Sequence, residues 1–210
     1  MKKPIIAISR EFGSGGRMIG ESVAKKLGLT VYDKTLIEMV AEKGGYSADF
    51  VEENDQRLTK SLLFQIAVTG SLPPWLAKDA GAAEGLIGKS VFSAQSEVIK
   101  DLAEKCGCVI IGRCAGHILK DDPNCLSVFI GAETEDKIDR CVKEYGFTPA
   151  AAAGEIKRRD SERAEHYNHH TGKMWGNAAN YHICLNSSVF GIGGCVDLIV
   201  EAYNKLVSNK

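Results

Sequence analysis

The chain has 210 residues, 44% of them hydrophobic, and 26 Lys and Arg against 27 Asp and Glu give a formal net charge of −1. That length supports one substantial α/β domain and is short for two, while the balanced charge offers no broad basic field for nucleic acid. No stretch reaches the ~18 uninterrupted apolar residues of a spanning helix, and residues 1–10 lack the apolar core of a signal peptide. A cytoplasmic protein with no nucleic-acid or membrane partner is the expectation.

The first element is an apolar strand over 4–9, which runs into Ser9-Arg-Glu-Phe-Gly-Ser-Gly-Gly-Arg17 and then into a helix over 16–27 carrying Ile19, Val23, Ala24 and Leu27. Strand, glycine loop and helix start are the parts of a phosphate cradle. Glycines let the backbone turn with positive φ and approach an anion, and the helix start points N–H groups and the positive dipole end at it. Gly13, Ser14, Gly15, Gly16, Arg17 and Met18 are therefore the expected nucleotide-phosphate site, with Arg17 as its side-chain cation. The loop departs from G-x-x-x-x-G-K-[ST] at three places: Glu11 holds the first glycine position, Arg17 the lysine and Met18 the hydroxyl. Arginine still binds phosphate oxygens. The magnesium role of the absent hydroxyl would pass to Ser14, Ser9 or water.

Further strands are expected at 30–32, 108–112, 125–130 and 181–186, with helices near 34–43, 48–69, 89–106, 133–146, 149–167 and 193–207. Alternating strand and helix favours a mainly parallel five-stranded sheet covered on both faces. Thr148-Pro149 reads as a helix start and Gly28 as a helix stop. Residues 70–88, rich in Gly, Ala and Pro, and 168–180 break every period and read as irregular binding or lid segments.

Asp33 ends the second strand beside Lys34. Arg113 directly follows the third, at the carboxyl end where open α/β sheets bind ligands. On the helix over 149–167, Arg159 and Arg163 share a face with Asp160 beside them. Two guanidiniums there can neutralise charge that builds during phosphoryl transfer; the bland alternative is a solvated, salt-bridged helix. Seven cysteines, at 106, 108, 114, 125, 141, 184 and 195, have no metal-ligand spacing and read as small buried hydrophobes of a reducing compartment. His166, His169 and His170 lie in a polar stretch that favours solvated or substrate-facing rings over a metal.

The segments Ile8–Arg17, Tyr32–Ile37, Val109–Arg113, Arg158-Arg-Asp-Ser-Glu-Arg163 and Asn180–Asn186 resemble the cytidylate-kinase-like family of P-loop kinases, relatives of the nucleoside monophosphate kinases. The resemblance implies a three-layer α/β/α P-loop kinase fold, one domain over 1–210, with a mobile acceptor-side insertion over about 45–90 and a helical lid over about 149–180. It implies ATP and Mg²⁺ as cofactors, with Gly13 to Arg17 on the donor phosphates. It also implies that Asp33, Lys34, Arg113 and Asp160 serve the acceptor and lid, and that Arg17, Arg159 and Arg163 act in catalysis. CMP or dCMP is the implied acceptor, although Cys114 replaces an acid of the cytidylate kinases. Alternatives are a kinase for another small metabolite, a nucleotide sensor without turnover, and a dinucleotide-dependent oxidoreductase. The last reading would use Gly13, Gly15, Gly20 and Asp33, but their spacing misses G-x-G-x-x-G.

Overall fold

Short apolar runs flanked by glycine build the sheet. In the computed structural model β1 (Ile5–Arg10), β2 (Thr30–Tyr32), β3 (Cys108–Ile111), β4 (Cys125–Gly131) and β5 (Ile183–Asn186) lie in the order β2-β3-β1-β4-β5. Every pairing is parallel, with Ile6 opposite Val109 on one side and Leu126 on the other. Residues 4–33, 36, 38, 39, 43 and 80–208 are described, with side chains from 91 onward in the second stretch. The chain forms two compact units, residues 1–33 with 99–210, and residues 34–98. Lys34, the helix expected over 48–69 and residues 45–79 of the expected insertion lie outside the described residues.

The α-helices with described bounds are α1 (Gly16–Leu27), α2 (Ala80–Lys105), α3 (Ala115–Ile118), α4 (Thr134–Tyr145), α5 (Pro149–Thr171) and α6 (Ser187–Ser208), the last broken at Gly191 with φ of 67°. Alternate residues of the central strands, Ile6, Ile8, Val109, Ile111, Leu126, Val128 and Ile130, pack against Ile19, Val23 and Ala24 of α1 and Cys195, Val196 and Ile199 of α6. Period-two strands thus bury one face under the 3.6-period stripes of two helices. On the opposite face α3 lies close to the sheet, where a side chain at Gly116 would meet Ser127 at 3.1 Å. Helices cover both faces, as the alternating sequence pattern requires.

Three boundaries differ from expectation, one being the start of α6 at Ser187 rather than 193. Residues 80–88 are the first turns of α2, not an irregular loop; the alanines are strong helix formers, and the interspersed Gly81, Gly85 and Gly88 hide the period. α5 starts at Pro149, capped by Thr148, and runs to Thr171 before Gly172 stops it, one turn beyond the expected end, because buried Tyr167 anchors that turn.

Candidate phosphate site and arginine helix

At the carboxyl end of β1 the chain turns through Gly13 (φ 78°) and Gly15 (φ 76°) into the first turn of α1. Both are left-handed conformations that other residues adopt at a cost. A side chain at Gly13 would also stand 2.8 Å from the Lys137 carbonyl, and one at Gly15 would collide with Ile192. The loop is therefore both positive in φ and walled in by neighbours. Helix α1 has no side-chain cap and no acidic residue in its first turn, which leaves its N-terminal dipole uncompensated by the chain.

Ser14 is fully buried. Its hydroxyl donates to the Glu11 carbonyl at 2.8 Å, and its own carbonyl accepts from the Ser187 hydroxyl at 2.7 Å. That hydroxyl is thus committed to the loop's own fold, and Ser14 is a poor candidate for the magnesium ligand considered from sequence. Ser9, the other hydroxyl considered, lies within 3.2 Å of Trp175 Nε1 and 3.4 Å of the Tyr181 hydroxyl. Met18 stands 38% exposed where the usual pattern carries a hydroxyl. Among the described residues no cluster of three His, Cys, Asp or Glu side chains could hold a metal. Of the ligands considered for a magnesium ion arriving with a nucleotide, Ser9 and water are the ones the loop's own fold does not engage, and phosphate oxygens would supply the others.

Arg17 leaves the helix start toward solvent. Its Nε lies 2.9 Å from Glu21 and 3.7 Å from Asp33, with the side chain 56% exposed. The structure so brings Arg17 and Asp33 together, residues that the sequence places in different roles.

A second group gathers beneath the loop. The Asp160 carboxylate accepts the Phe12 backbone N–H at 2.7 Å and lies 3.3 Å from Arg163. Lys137 Nζ sits 3.0 Å from Glu11 and 3.9 Å from Asp160. Burial raises the Asp160 pKa against the opposing pull of the Phe12 N–H and of Arg163. Burial, with the neighbouring Arg10 charge, pulls Arg163 down to about 10, so it remains cationic. Arg163 also donates to the Arg10 carbonyl at 3.3 Å, while its buried Nε has no hydrogen-bond partner among the described residues. Arg159 bonds Glu155 at 2.6 Å, and its guanidinium lies 4.3 Å from the centre of the Phe12 ring. Phe12 itself is buried with Cys141, Ala152 and Ile156 and stacks on Tyr145. Phe12 and Asp160 thus fasten the glycine loop to the arginine-bearing helix α5.

Sequence reasoning missed three cations. Arg140 donates to the Gly13 carbonyl, and Lys137 neutralises Glu11 under the loop. Arg10 lies with its stem over Gly16 and its guanidinium against Gly112. The first two sit three residues apart on α4, a spacing visible in sequence but without a partner motif to mark it.

Past β3, Gly112, Arg113 and Cys114 have φ of 81°, 57° and 52°. Two successive non-glycine residues in the left-handed region carry strain of the kind that gathers at functional sites. Cys114 Sγ lies 3.6 Å from His166 Nδ1. Burial raises the thiol to about 12 and lowers the imidazole to about 3, so the pair is a neutral contact and not a thiolate nucleophile.

The sequence profile of the cytidylate kinase-like family matches residues 5–189. An uncharacterized protein from Eubacterium ventriosum is similar at 26% identity, with a TM-score of 0.69 over 96% of this chain and 99% of that one. A gluconokinase from Sinorhizobium meliloti, 12% identical with a TM-score of 0.52 over 100% and 97% of the two chains, shares the fold. So does a shikimate kinase from Bacteroides thetaiotaomicron, 12% identical with a TM-score of 0.50 over 96% and 98%. No curated protein matches the sequence significantly. With the glycine loop, the parallel sheet and the profile match in agreement, the chain belongs to the cytidylate kinase-like family of P-loop kinases.

Proposed function

We propose that this protein transfers the terminal phosphoryl group of ATP to a nucleoside monophosphate, CMP or dCMP foremost. The observation that carries the reading is the glycine loop: two left-handed glycines with no room for a side chain, opening onto an uncapped helix start and fastened to α5 through Phe12 and Asp160. Such a loop offers backbone N–H groups to phosphate oxygens. Arg159 and Arg163, on the helix clamped to it, supply the positive charge that phosphoryl transfer requires.

In this reading the loop holds the donor phosphates and α5 closes on them. An oxygen of the acceptor phosphate attacks the terminal phosphorus, the bond from that phosphorus to the bridging oxygen breaks, and ADP leaves. The acceptor is already an oxyanion, so no side chain has to remove a proton. Positioning and charge neutralisation are then the protein's main contributions.

One observation favours a second acceptor class. Cys114, where the resemblance places an acid of the cytidylate kinases, is buried and neutral against His166. A cytosine base would find no carboxylate at that position, which leaves a different small-molecule acceptor as the competing reading.

A coupled ADP-release screen over the nucleoside monophosphates and small alcohols decides between the two. ADP release fastest with CMP or dCMP supports the first reading, and turnover confined to a non-nucleotide supports the second. ATP binding without turnover of any acceptor makes the protein a nucleotide sensor. Quenching of Trp175 fluorescence by NAD and not by ATP would remove the kinase reading altogether.

A further inference from the structure

Arg10 has no place in the reading so far, yet it is wedged against two glycines. It is the last residue of β1, at the carboxyl edge of the sheet. Its Cβ lies only 2.5 Å from where a side chain on Gly16 would begin, and its guanidinium fills the space that a side chain on Gly112 would take. Two glycines thus make room for one arginine. The guanidinium has no hydrogen bond or ion pair among the described residues, while Asp33 and Asp160 act on it only at longer range and Arg17 and Arg163 repel it. Arg163 beside it keeps a buried Nε–H without an acceptor among the described residues.

A half-buried guanidinium without a partner, next to a second one with an orphaned donor, is costly unless an anion completes it. Arg17, at the position where the sequence pattern predicts the phosphate cation, is instead engaged by Glu21 and Asp33. The donor side of the loop, at Gly13 and Gly15, is flanked by Arg140 on α4. Arg10 lies on the other side, between β1 and β3, beside the strained turn that carries Arg113.

We infer that Arg10, with the Nε–H of Arg163, binds the anionic group of the acceptor substrate at the carboxyl ends of β1 and β3. This rests on the kinase reading for the word acceptor, but the anion site itself does not. The chemistry is an oxyanion held by a planar, bidentate donor. A phosphate monoester and a carboxylate both satisfy it, and the two sources are separated by the probes below.

The test measures equilibrium binding of ATP, CMP, inorganic phosphate and gluconate to the full chain, the Arg10→Gln and Arg10→Lys variants, by titration calorimetry. The expected result is unchanged ATP affinity in all three proteins, with binding of one anionic probe weakened about tenfold or more in Arg10→Gln and less in Arg10→Lys. Loss confined to CMP and phosphate identifies a phosphate monoester, and loss confined to gluconate identifies a carboxylate. Unchanged binding of every probe in Arg10→Gln overturns the assignment, as does a wild-type chain that binds none of the three anions. Weakened ATP binding matching the loss of the anion moves Arg10 to the donor side and overturns it too. A wild-type chain that binds anions through Arg10 but not ATP leaves the site standing and removes the kinase reading.

Discussion

The Asp160 carboxylate accepts the backbone N–H of Phe12 at 2.7 Å, joining two residues 148 positions apart in sequence. One side chain on the arginine helix therefore fixes the backbone of the glycine loop, and the same carboxylate lies between Arg163 and Lys137. Removal of that carboxylate leaves the Phe12 N–H and two buried cations short of an acceptor. Asp160→Ala is expected to cost about 1–3 kcal/mol, seen as a fall in melting temperature of roughly 2–10 °C, with weakened ATP binding. Asp160→Asn, which retains an oxygen for Phe12 but not the charge, is expected to fall between. Calorimetric melting of the three proteins checks this, and a wild-type melting temperature in Asp160→Ala refutes it.

Gly13 and Gly28 separate backbone conformation from crowding. Both have positive φ, but a side chain at Gly28 would meet nothing within 4 Å, whereas one at Gly13 would press on Lys137 and Cys141. Gly28→Ala is expected to cost about 1 kcal/mol and leave ATP affinity unchanged. Gly13→Ala is expected to cost more and to abolish ATP binding, because the backbone that holds the phosphates must move. Urea unfolding together with ATP titration distinguishes the two, and equal effects on binding would mean that the loop is not the phosphate site.

The sheet is legible in the sequence because each strand is a short apolar run bounded by glycine or polar residues, as in Cys108-Val-Ile-Ile111. The glycine loop and the Arg159–Arg163 pair are legible for the same reason, since each is local in sequence. What sequence cannot carry is long-range pairing. Asp160 reads as a lid residue near the acceptor, yet its carboxylate is turned onto the Phe12 backbone. Arg10 reads only as a residue between the strand over 4–9 and the glycine loop, and only Gly16 and Gly112, 6 and 102 positions away in the chain, reveal the space made for it. At the alanine- and glycine-rich start of α2, Gly81, Gly85 and Gly88 interrupt the apolar period, which hides the helix from pattern reading.

Arg17 and Arg159 are expected to fail in different ways. Arg159 lies over Phe12 on the clamped helix, 40% exposed and bonded to Glu155. Its charge would help chiefly as the phosphoryl group transfers, so Arg159→Ala is expected to lower kcat about 10²-fold with little change in ATP KM. Arg17→Ala removes a contact to Asp33 as well as a cation at the loop, and both kcat and the substrate KM values are expected to suffer. Steady-state kinetics in both substrates is the check. Arg17→Ala phosphorylating at the wild-type rate would remove that residue from the reaction.

The thiols report burial directly. Cys106 and Cys184 are exposed, and Cys108, Cys114, Cys125, Cys141 and Cys195 are buried. Burial also raises Cys108, Cys114 and Cys125 to about 12, so little thiolate forms at neutral pH. A disulfide-exchange reagent is expected to titrate the two exposed thiols of the native protein, Cys106 and Cys184, ahead of the five buried ones. All seven should react after unfolding. Rapid native reaction at Cys114, located by peptide mass mapping, would show that its contact with His166 opens.

Glu155 sets an acid limit on helix α5. Hydrogen bonds from Arg158 and Arg159 hold its carboxyl at about 2, well below an unfolded glutamate near 4.5. The unfolded chain therefore binds more protons than the folded one between those values, and stability rises with pH there. The contribution is complete above pH ~4.5 and lost as pH falls toward 2. Because Arg158 and Arg159 are substantially exposed, the pair contributes at most about 1 kcal/mol. Glu155→Gln is expected to be less stable than the wild type at pH 7 and equal to it near pH 2. Urea midpoints for the two proteins across that range decide it, and a stability difference that persists undiminished at pH 2 would show that Glu155 acts through packing and not through its charge.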